Sequence, residues 1–335
     1  MLDQHPYIST VLPVHNAVAT LPRAIDSIQA QSFTDWELLI VDDGSTDGSG
    51  VVAGDYAAKD PRIQVISGPH RGLVPALCDG CARARGEFIA RMDADDVSYP
   101  DRFSKQLEWF AANPDGGLCG TQVIAAGRDI RAGRRRYIDW LNANTAHEAI
   151  DRELFIECPI AHPSFMMRRG AYEAVGGYRD FDGPEDYDLV FRFWRAGYRL
   201  GNVPEPLLEW HESPDRHSMT SPRYSEAAFR RLKREWLQRA APGAGRPMYQ
   251  WGAGEVGKRW LREWPEGAIE AVVDIRPGKI GQTIHGYRVI RPEDLPPPGA
   301  CYFVVAVGTP GARDIIREWC ADRGYKECVD YRFIA

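Results

Sequence analysis

Apolar positions in the first hundred residues come as short, nearly unbroken runs separated by polar turns. The run at 7–13 predicts a strand that breaks into Val14, His15 and Asn16. Leu21, Ile25 and Ile28 then share one face of a predicted helix. The run at 36–41 is apolar apart from Glu37, as in a strand buried on both faces. It ends in Asp42, Asp43, Gly44, Ser45, Thr46 and Asp47, a polar turn able to cap the next helix. Residues 63–66 predict a third strand, the segment from Gly72 to Gly86 a helix, and 87–92 another strand. Strands alternating with helices predict an α/β fold with a mostly parallel sheet. Ligands of such sheets bind at the carboxyl ends of the strands. The polar residues at 15–16, 42–43 and 93–96 all follow such ends.

A helix rich in Arg and Glu is predicted over 225–239, followed by an Ala/Pro/Gly linker at 240–246. A new strand–turn–helix rhythm begins at Met248, which predicts domains at 1–240 and 246–335. Gly252, Gly254 and Gly257 form a G-x-G-x-x-G between that strand and the helix from Lys258 to Leu261. Asp274 ends the apolar run at 269–273, where a ribose-binding acid would sit. A Cβ at Gly254 is expected to intrude on the turn or on an approaching phosphate. Three readings of the loop stay open: NAD(P), another nucleotide or sugar nucleotide, or tight packing alone. The segment is about half the length of a full two-half dinucleotide fold, and no hydride-transfer residue accompanies it.

Composition narrows the classes. The chain has 335 residues, 44% hydrophobic and 26% charged, enough for a real core and too apolar for disorder. A formal net charge of −6 argues against a nucleic-acid partner. No apolar run approaches the ~20 residues of a membrane span, and residues 1–6 lack the layout of a signal peptide. Seven cysteines without a regular framework predict a reducing cytoplasm. Cys78 and Cys81 make one C-x-x-C with no second pair nearby.

Two acidic clusters are the candidate chemistry. Asp93, Asp95 and Asp96 crowd one strand end and repel one another unless a cation offsets them. Hard cations such as Mg²⁺ or Mn²⁺ take oxygen ligands and share them with substrate phosphates; a solvated acidic turn is the alternative. Glu185, Asp186 and Asp188 follow Pro184 at a predicted helix start. They either complement the helix dipole or present an ionised carboxylate to a cleft as a general base. The basic stretch Arg128, Arg131, Arg134, Arg135 and Arg136 reads as a solvated loop or as an attractor for a phosphate-bearing acceptor at a membrane surface.

In order along the chain, Pro13-Val-His-Asn16, Val41-Asp-Asp-Gly-Ser-Thr-Asp47, the run from Gly86 to Asp96, Ala161-His-Pro-Ser164, Gly176-Gly-Tyr178 and Gly183-Pro-Glu-Asp-Tyr-Asp188 resemble the family 2 glycosyltransferases. The resemblance covers about residues 8–224. It implies a GT-A nucleotide-diphospho-sugar transferase domain, followed here by a small Rossmann-like α/β domain. The implied reaction is an inverting transfer of sugar from a UDP-, TDP- or GDP-linked donor to a hydroxyl of a glycan or lipid-linked glycan. The resemblance places Asp42 on the nucleobase, Pro13 and His15 in the same pocket, and Arg71 with the donor-binding residues. Asp93 and Asp95 become the D-x-D pair for nucleotide and Mn²⁺ or Mg²⁺, Asp186 the general base, and Glu185 its neighbour. His211 or His217 would support the metal, and Arg216 could meet a phosphate. The implied setting is cell-surface polysaccharide or glycoconjugate assembly, in the cytoplasm or at the inner face of the membrane. Two other readings are a bifunctional protein whose C-terminal domain binds NAD(P), and a non-catalytic nucleotide-sugar scaffold.

Overall fold

The computed structural model describes residues 5–127, 130, 132–211, 221–240, 243 and 245–335. The chain divides into two compact units. The first comprises Met1–Ile150 and Pro159–Ser225, the second Asp151–Cys158 and Glu226–Ala335.

Among the described residues, the first unit has eight strands: β1 (Ile8–Val14), β2 (Trp36–Asp43), β3 (Ile63–Gly68), β4 (Phe88–Arg91), β5 (Val97–Ser98), β6 (Gly116–Ala126), β7 (Met166–Arg168) and β8 (Arg199–His211). Their order is β3-β2-β1-β4-β7-β6-β8-β5. The predicted parallel pairing holds from β3 to β4. At β7 the sheet turns antiparallel and β5 also pairs antiparallel, while β6 and β8 pair parallel, so the sheet is mostly parallel, as expected, with antiparallel pairings around β7 and β5. Every residue of β1 and β2 is buried, including the polar Ser9, Thr10 and Glu37 within their largely apolar runs. The helix Leu21–Gln29 buries Leu21, Ala24, Ile25 and Ile28 against this sheet's core. Because β2, β1 and β4 are neighbours running the same way, the polar segments after them gather at one edge.

Among the described residues, the second unit has six strands: β9 (Met248–Trp251), β10 (Val272–Val273), β11 (Thr283–Ile284), β12 (Tyr287–Ile290), β13 (Tyr302–Val305) and β14 (Tyr331–Phe333). Their order is β11-β12-β10-β9-β13-β14, all parallel except the β11–β12 hairpin. Without β11, this is the 3-2-1-4-5 order of doubly wound sheets. The helix Glu226–Ala240, expected to close the first domain, packs instead with this sheet. Its buried Lys233 donates to the carbonyls of Ile156 and Ile334, both at 3.0 Å. Burial pulls that amine down to about 8. Arg332 pairs with Asp151 at 2.8 Å and Arg317 with Glu153 at 2.7 Å, which ties Asp151–Cys158 into the same unit. The linker composition at 240–246 marks a loop, but side-chain packing decides which unit a helix joins.

Candidate active site

The residues expected to line a nucleotide pocket lie at the ends of β1 and β2 and in the loops that follow. Pro13 lies within β1 opposite Val41. Asp42 is buried and accepts the Ser45 N–H at 3.0 Å. Gly50 leaves room for it, since a Cβ there would stand 2.6 Å from Asp42 Oδ2. The neighbouring Asp43 organises the facing loop: its Oδ1 accepts the Arg71 N–H at 2.7 Å and its Oδ2 the Gly72 N–H at 2.8 Å. His70 Nδ1 lies 2.8 Å from the same Oδ2. His15 and His70 stack with ring centroids 4.0 Å apart, and each Nδ1 approaches the Asp43 carbonyl, at 2.9 and 3.1 Å. Arg71 reaches this cluster through its backbone, while its guanidinium pairs with Asp79. Sequence reasoning found His15 and Asp42 but missed Asp43 and His70. The second acid of the Asp42-Asp43 pair was the available signal for Asp43; His70 has none short of tertiary contact.

The carboxylates after β4 converge as predicted. Asp93, Asp95 and Asp96 each offer an oxygen within 4.8 Å of the others. Asp93 Oδ2 pairs with Arg91 Nη1 at 2.5 Å. Arg23 donates to the Asp95 carbonyl at 3.1 Å. Asp96 is fully buried and its Oδ1 accepts the His211 N–H at 2.8 Å. A set of hard carboxylate oxygens beside a strand end fits Mg²⁺ or Mn²⁺. His211 reaches the cluster through its backbone, and its ring nitrogens do not converge with the three carboxylates. That ring is held below the usual histidine range, first by burial and then by Arg23. His217, Arg216, Arg128 and Arg131 lie outside the described residues. Arg134 packs over the Trp210 ring at 3.9 Å, while Arg135 and Arg136 are exposed.

The second acidic cluster begins the helix Glu185–Arg195, after Pro184. Its three acids have three environments. Asp188 forms a buried pair with Arg192 at 2.8 Å, one helical turn on, and so stabilises the helix. Glu185 is 1% exposed and its Oε2 accepts the Tyr224 hydroxyl at 2.7 Å. Its other oxygen lies 3.9 Å from His162 Nδ1, and His162 Nε2 is 2.7 Å from the Tyr178 hydroxyl. Burial, with Arg91 nearby, holds His162 well below its ordinary range and therefore neutral. Asp186 is partly exposed and accepts the Tyr187 N–H at 2.7 Å. Desolvation, then the Glu185 charge beside it, pushes its carboxyl up to about 7. Burial raises the Glu185 carboxyl as well, and Arg91 opposes both upward shifts. Sequence reasoning missed Arg91, Tyr178, His162 and Tyr224, although Arg91, His162 and Tyr178 lie within segments that resemble the family.

The glycine loop of the second unit is built differently from expectation. Gly252 has φ +116°, and a Cβ there would meet the Ala306 carbonyl at 2.5 Å. A Cβ on Gly257 would stand 2.0 Å from the Gly252 carbonyl. A Cβ on Gly254 meets nothing within 4 Å, so the expected intrusion at the turn falls on Gly252 and Gly257 instead. Asp274 is engaged by the loop itself, accepting the Ala253 N–H at 3.2 Å and pairing with Lys279 at 2.9 Å.

Comparison with known proteins bears on the first unit. The sequence pattern described as Glycosyl transferase family 2 matches residues 9–176. The protein EpsE of Bacillus subtilis (strain 168), which carries a glycosyltransferase name, is 31% identical over 229 residues, covering 67% of this chain and 80% of that protein. The amylovoran biosynthesis glycosyltransferase AmsE of Erwinia amylovora is 28% identical over 58% of this chain and 71% of its own length. Among solved structures, S. aureus TarS 1-349 in complex with UDP-GlcNAc aligns at TM-score 0.55 with 14% identity, covering 76% of this chain and 78% of that one. The mannosyltransferase PcManGT of Pyrobaculum calidifontis, solved with GDP-Man and Mn²⁺, aligns at TM-score 0.50 with 19% identity over 71% and 65%. These two show the shared fold, a mixed α/β sheet of the GT-A kind. With the matched motifs gathered at one sheet edge, the chain belongs to glycosyl transferase family 2 and is a glycosyltransferase.

Proposed function

We propose that this glycosyltransferase moves a sugar, with inversion, from a nucleoside-diphosphate donor to a hydroxyl of a glycan or lipid-linked glycan. The observation carrying this reading is the split between two adjacent acids. Glu185 is buried and already bonded to Tyr224, whereas Asp186 is partly exposed with its carboxyl pushed up to about 7. A carboxylate tuned near neutrality is suited to take the proton of an attacking hydroxyl. Asp42, Pro13, His15 and the His70 stacked on it receive the base, with Arg71 holding the loop to Asp43. Asp93 and Asp95, with Asp96 beside them, would hold a divalent cation, which supplies charge neutralisation for the leaving diphosphate. His211 orders Asp96 rather than serving as a principal ligand. In-line attack on the anomeric carbon then needs no covalent intermediate on the protein.

The relatives' names and solved complexes support a nucleotide-sugar donor and polysaccharide assembly, without fixing the base. No helix among the described residues is long and apolar enough to cross a membrane. We place the reaction on the cytoplasmic side, with lipid-linked acceptors met at the membrane face. For the C-terminal unit we propose a Rossmann-like module whose loop is structural, because Asp274 is occupied by Lys279 and Ala253. The test is calorimetric titration of UDP, TDP and GDP, with Mn²⁺ and then with EDTA. Selective, metal-dependent binding that Asp95→Ala abolishes is the expected result. Equal affinity for every diphosphate in both conditions would refute the reading.

A further inference from the structure

Crowded carboxylates repel one another unless a cation offsets them, and the sequence offers a bound metal as one source of that charge. The structure contains an internal source. Arg91, at the end of β4, is 3% exposed and holds Asp93 Oδ2 with Nη1 at 2.5 Å. Arg102, fully buried behind it, donates to the Arg91 carbonyl at 2.8 Å and the Phe165 carbonyl at 3.3 Å, and so fixes the backbone from which Arg91 extends. The Nε of Arg91 has no hydrogen-bond partner among the described residues. A buried guanidinium with donor capacity left over is set to meet another anion. Its charge also acts on Asp96, Tyr178, Glu185 and Asp186, members of both acidic clusters and their surroundings.

We propose that Arg91 is the resident counter-cation of the carboxylate cluster, holding Asp93 in the free protein and yielding it only when a nucleoside diphosphate accompanies the divalent metal. This inference rests on the donor reading above. A metal alone must draw Asp93 away from Arg91 and leave a buried guanidinium without its counter-ion, which is strongly unfavourable. A metal arriving with a diphosphate brings anionic oxygens that replace that partner. Metal and diphosphate therefore bind with positive coupling, which is reciprocal by linkage.

The test uses the full chain with Mn²⁺ and UDP, GDP or TDP as probes, read by calorimetry and thermal shift. In the wild type, Mn²⁺ alone should bind weakly, and the diphosphate should tighten it by at least about tenfold. Arg91→Met should bind Mn²⁺ alone about tenfold more tightly than wild type and lose most of that coupling, while Arg91→Lys should keep a large part of it. A folded Arg91→Met with unchanged Mn²⁺ affinity and unchanged coupling overturns the inference and leaves the donor reading intact. If Arg91→Met does not fold, the wild type still decides: tight Mn²⁺ binding with no gain from any diphosphate overturns it. Failure of all three diphosphates to bind under any metal condition overturns the donor reading, and this inference with it.

Discussion

Tyr224 donates its hydroxyl to Glu185 across 2.7 Å, and this contact separates the roles of two acids adjacent in sequence. A carboxylate that is 1% exposed and already accepting a hydrogen bond is poorly placed to receive a substrate proton. Its charge is used instead on Asp186, where it helps to raise the proton affinity of the partly exposed acid. Arg223 pairs with Asp180 at 2.6 Å, so the short turn Pro222–Tyr224 is anchored on the segment leading to the helix.

Asp186→Asn is nearly isosteric and cannot accept a proton, so it should bind donor normally and slow transfer by roughly 10²–10⁴-fold. Glu185→Gln and Tyr224→Phe should cost less, because each only loosens the surroundings of the base. Transfer rates measured with separate donor affinities distinguish these cases. Near-normal transfer by Asp186→Asn together with a dead Glu185→Gln would move the base one residue upstream.

The raised carboxyl of Asp186 has a kinetic and a thermodynamic signature of opposite sign. As a base it must be deprotonated, so transfer should climb as pH rises through about 7. The folded protein holds that proton more tightly than the unfolded chain, whose carboxyl titrates near its ordinary value. Stability from this group is therefore present below the unfolded value and declines as pH rises through about 7. Asp186→Asn should accordingly raise the melting temperature by a few degrees at about pH 8 and barely at about pH 4. A variant equally stabilised, or equally destabilised, at both pH values would contradict this assignment.

Gly50 and Asp42 give a test of the nucleotide end that does not touch the carboxylate cluster. Gly50 lies in the helix Ser49–Ala57, where alanine favours the helix by roughly 0.5–1 kcal/mol. The added Cβ would stand 2.6 Å from Asp42 Oδ2 and displace that side chain. Gly50→Ala should thus melt close to wild type while nucleotide affinity falls about tenfold. Unchanged affinity would remove Asp42 from the base pocket.

In the second unit the glycines are unequal. Gly257→Ala forces a Cβ to 2.0 Å from a backbone carbonyl and should cost about 1–3 kcal/mol. Gly254→Ala has open space and should stay within about 0.5 kcal/mol of wild type. Chemical denaturation of both variants reads this order, and the reverse order would refute the packing described for the loop.

Much of this site is legible along the chain because the acids follow largely apolar runs. Asp42, Asp93 and Asp95 fall at the ends of buried parallel strands, and a strand end is a local property of sequence. Glu185 and Asp186 are marked by the proline before them. What stayed hidden depends on segments meeting in space. His70 acquires meaning by stacking on His15, 55 positions earlier in the chain, and Tyr224 by reaching Glu185. Arg91 reads as one more residue of a strand until Asp93 is seen folded back on it. The motif at 252–257 misled about Gly254 because spacing alone does not show which glycine faces a carbonyl.

The membership of Asp151–Cys158 in the second unit bears on how this protein can be taken apart. That unit is not a tail added after the transferase, since eight of its residues are threaded through the middle of the other unit's sequence. A gene truncated after residue 225 would keep Asp151, Glu153 and Ile156 while deleting Arg332, Arg317 and Lys233, which engage them. Ile156 would lose the apolar cluster of Trp251, Phe303 and Phe333 in which it is buried. Dividing the enzyme at one point therefore leaves an unmatched seam in the surviving half. A functional transplant of either unit would need the short inner segment to travel with the C-terminal part.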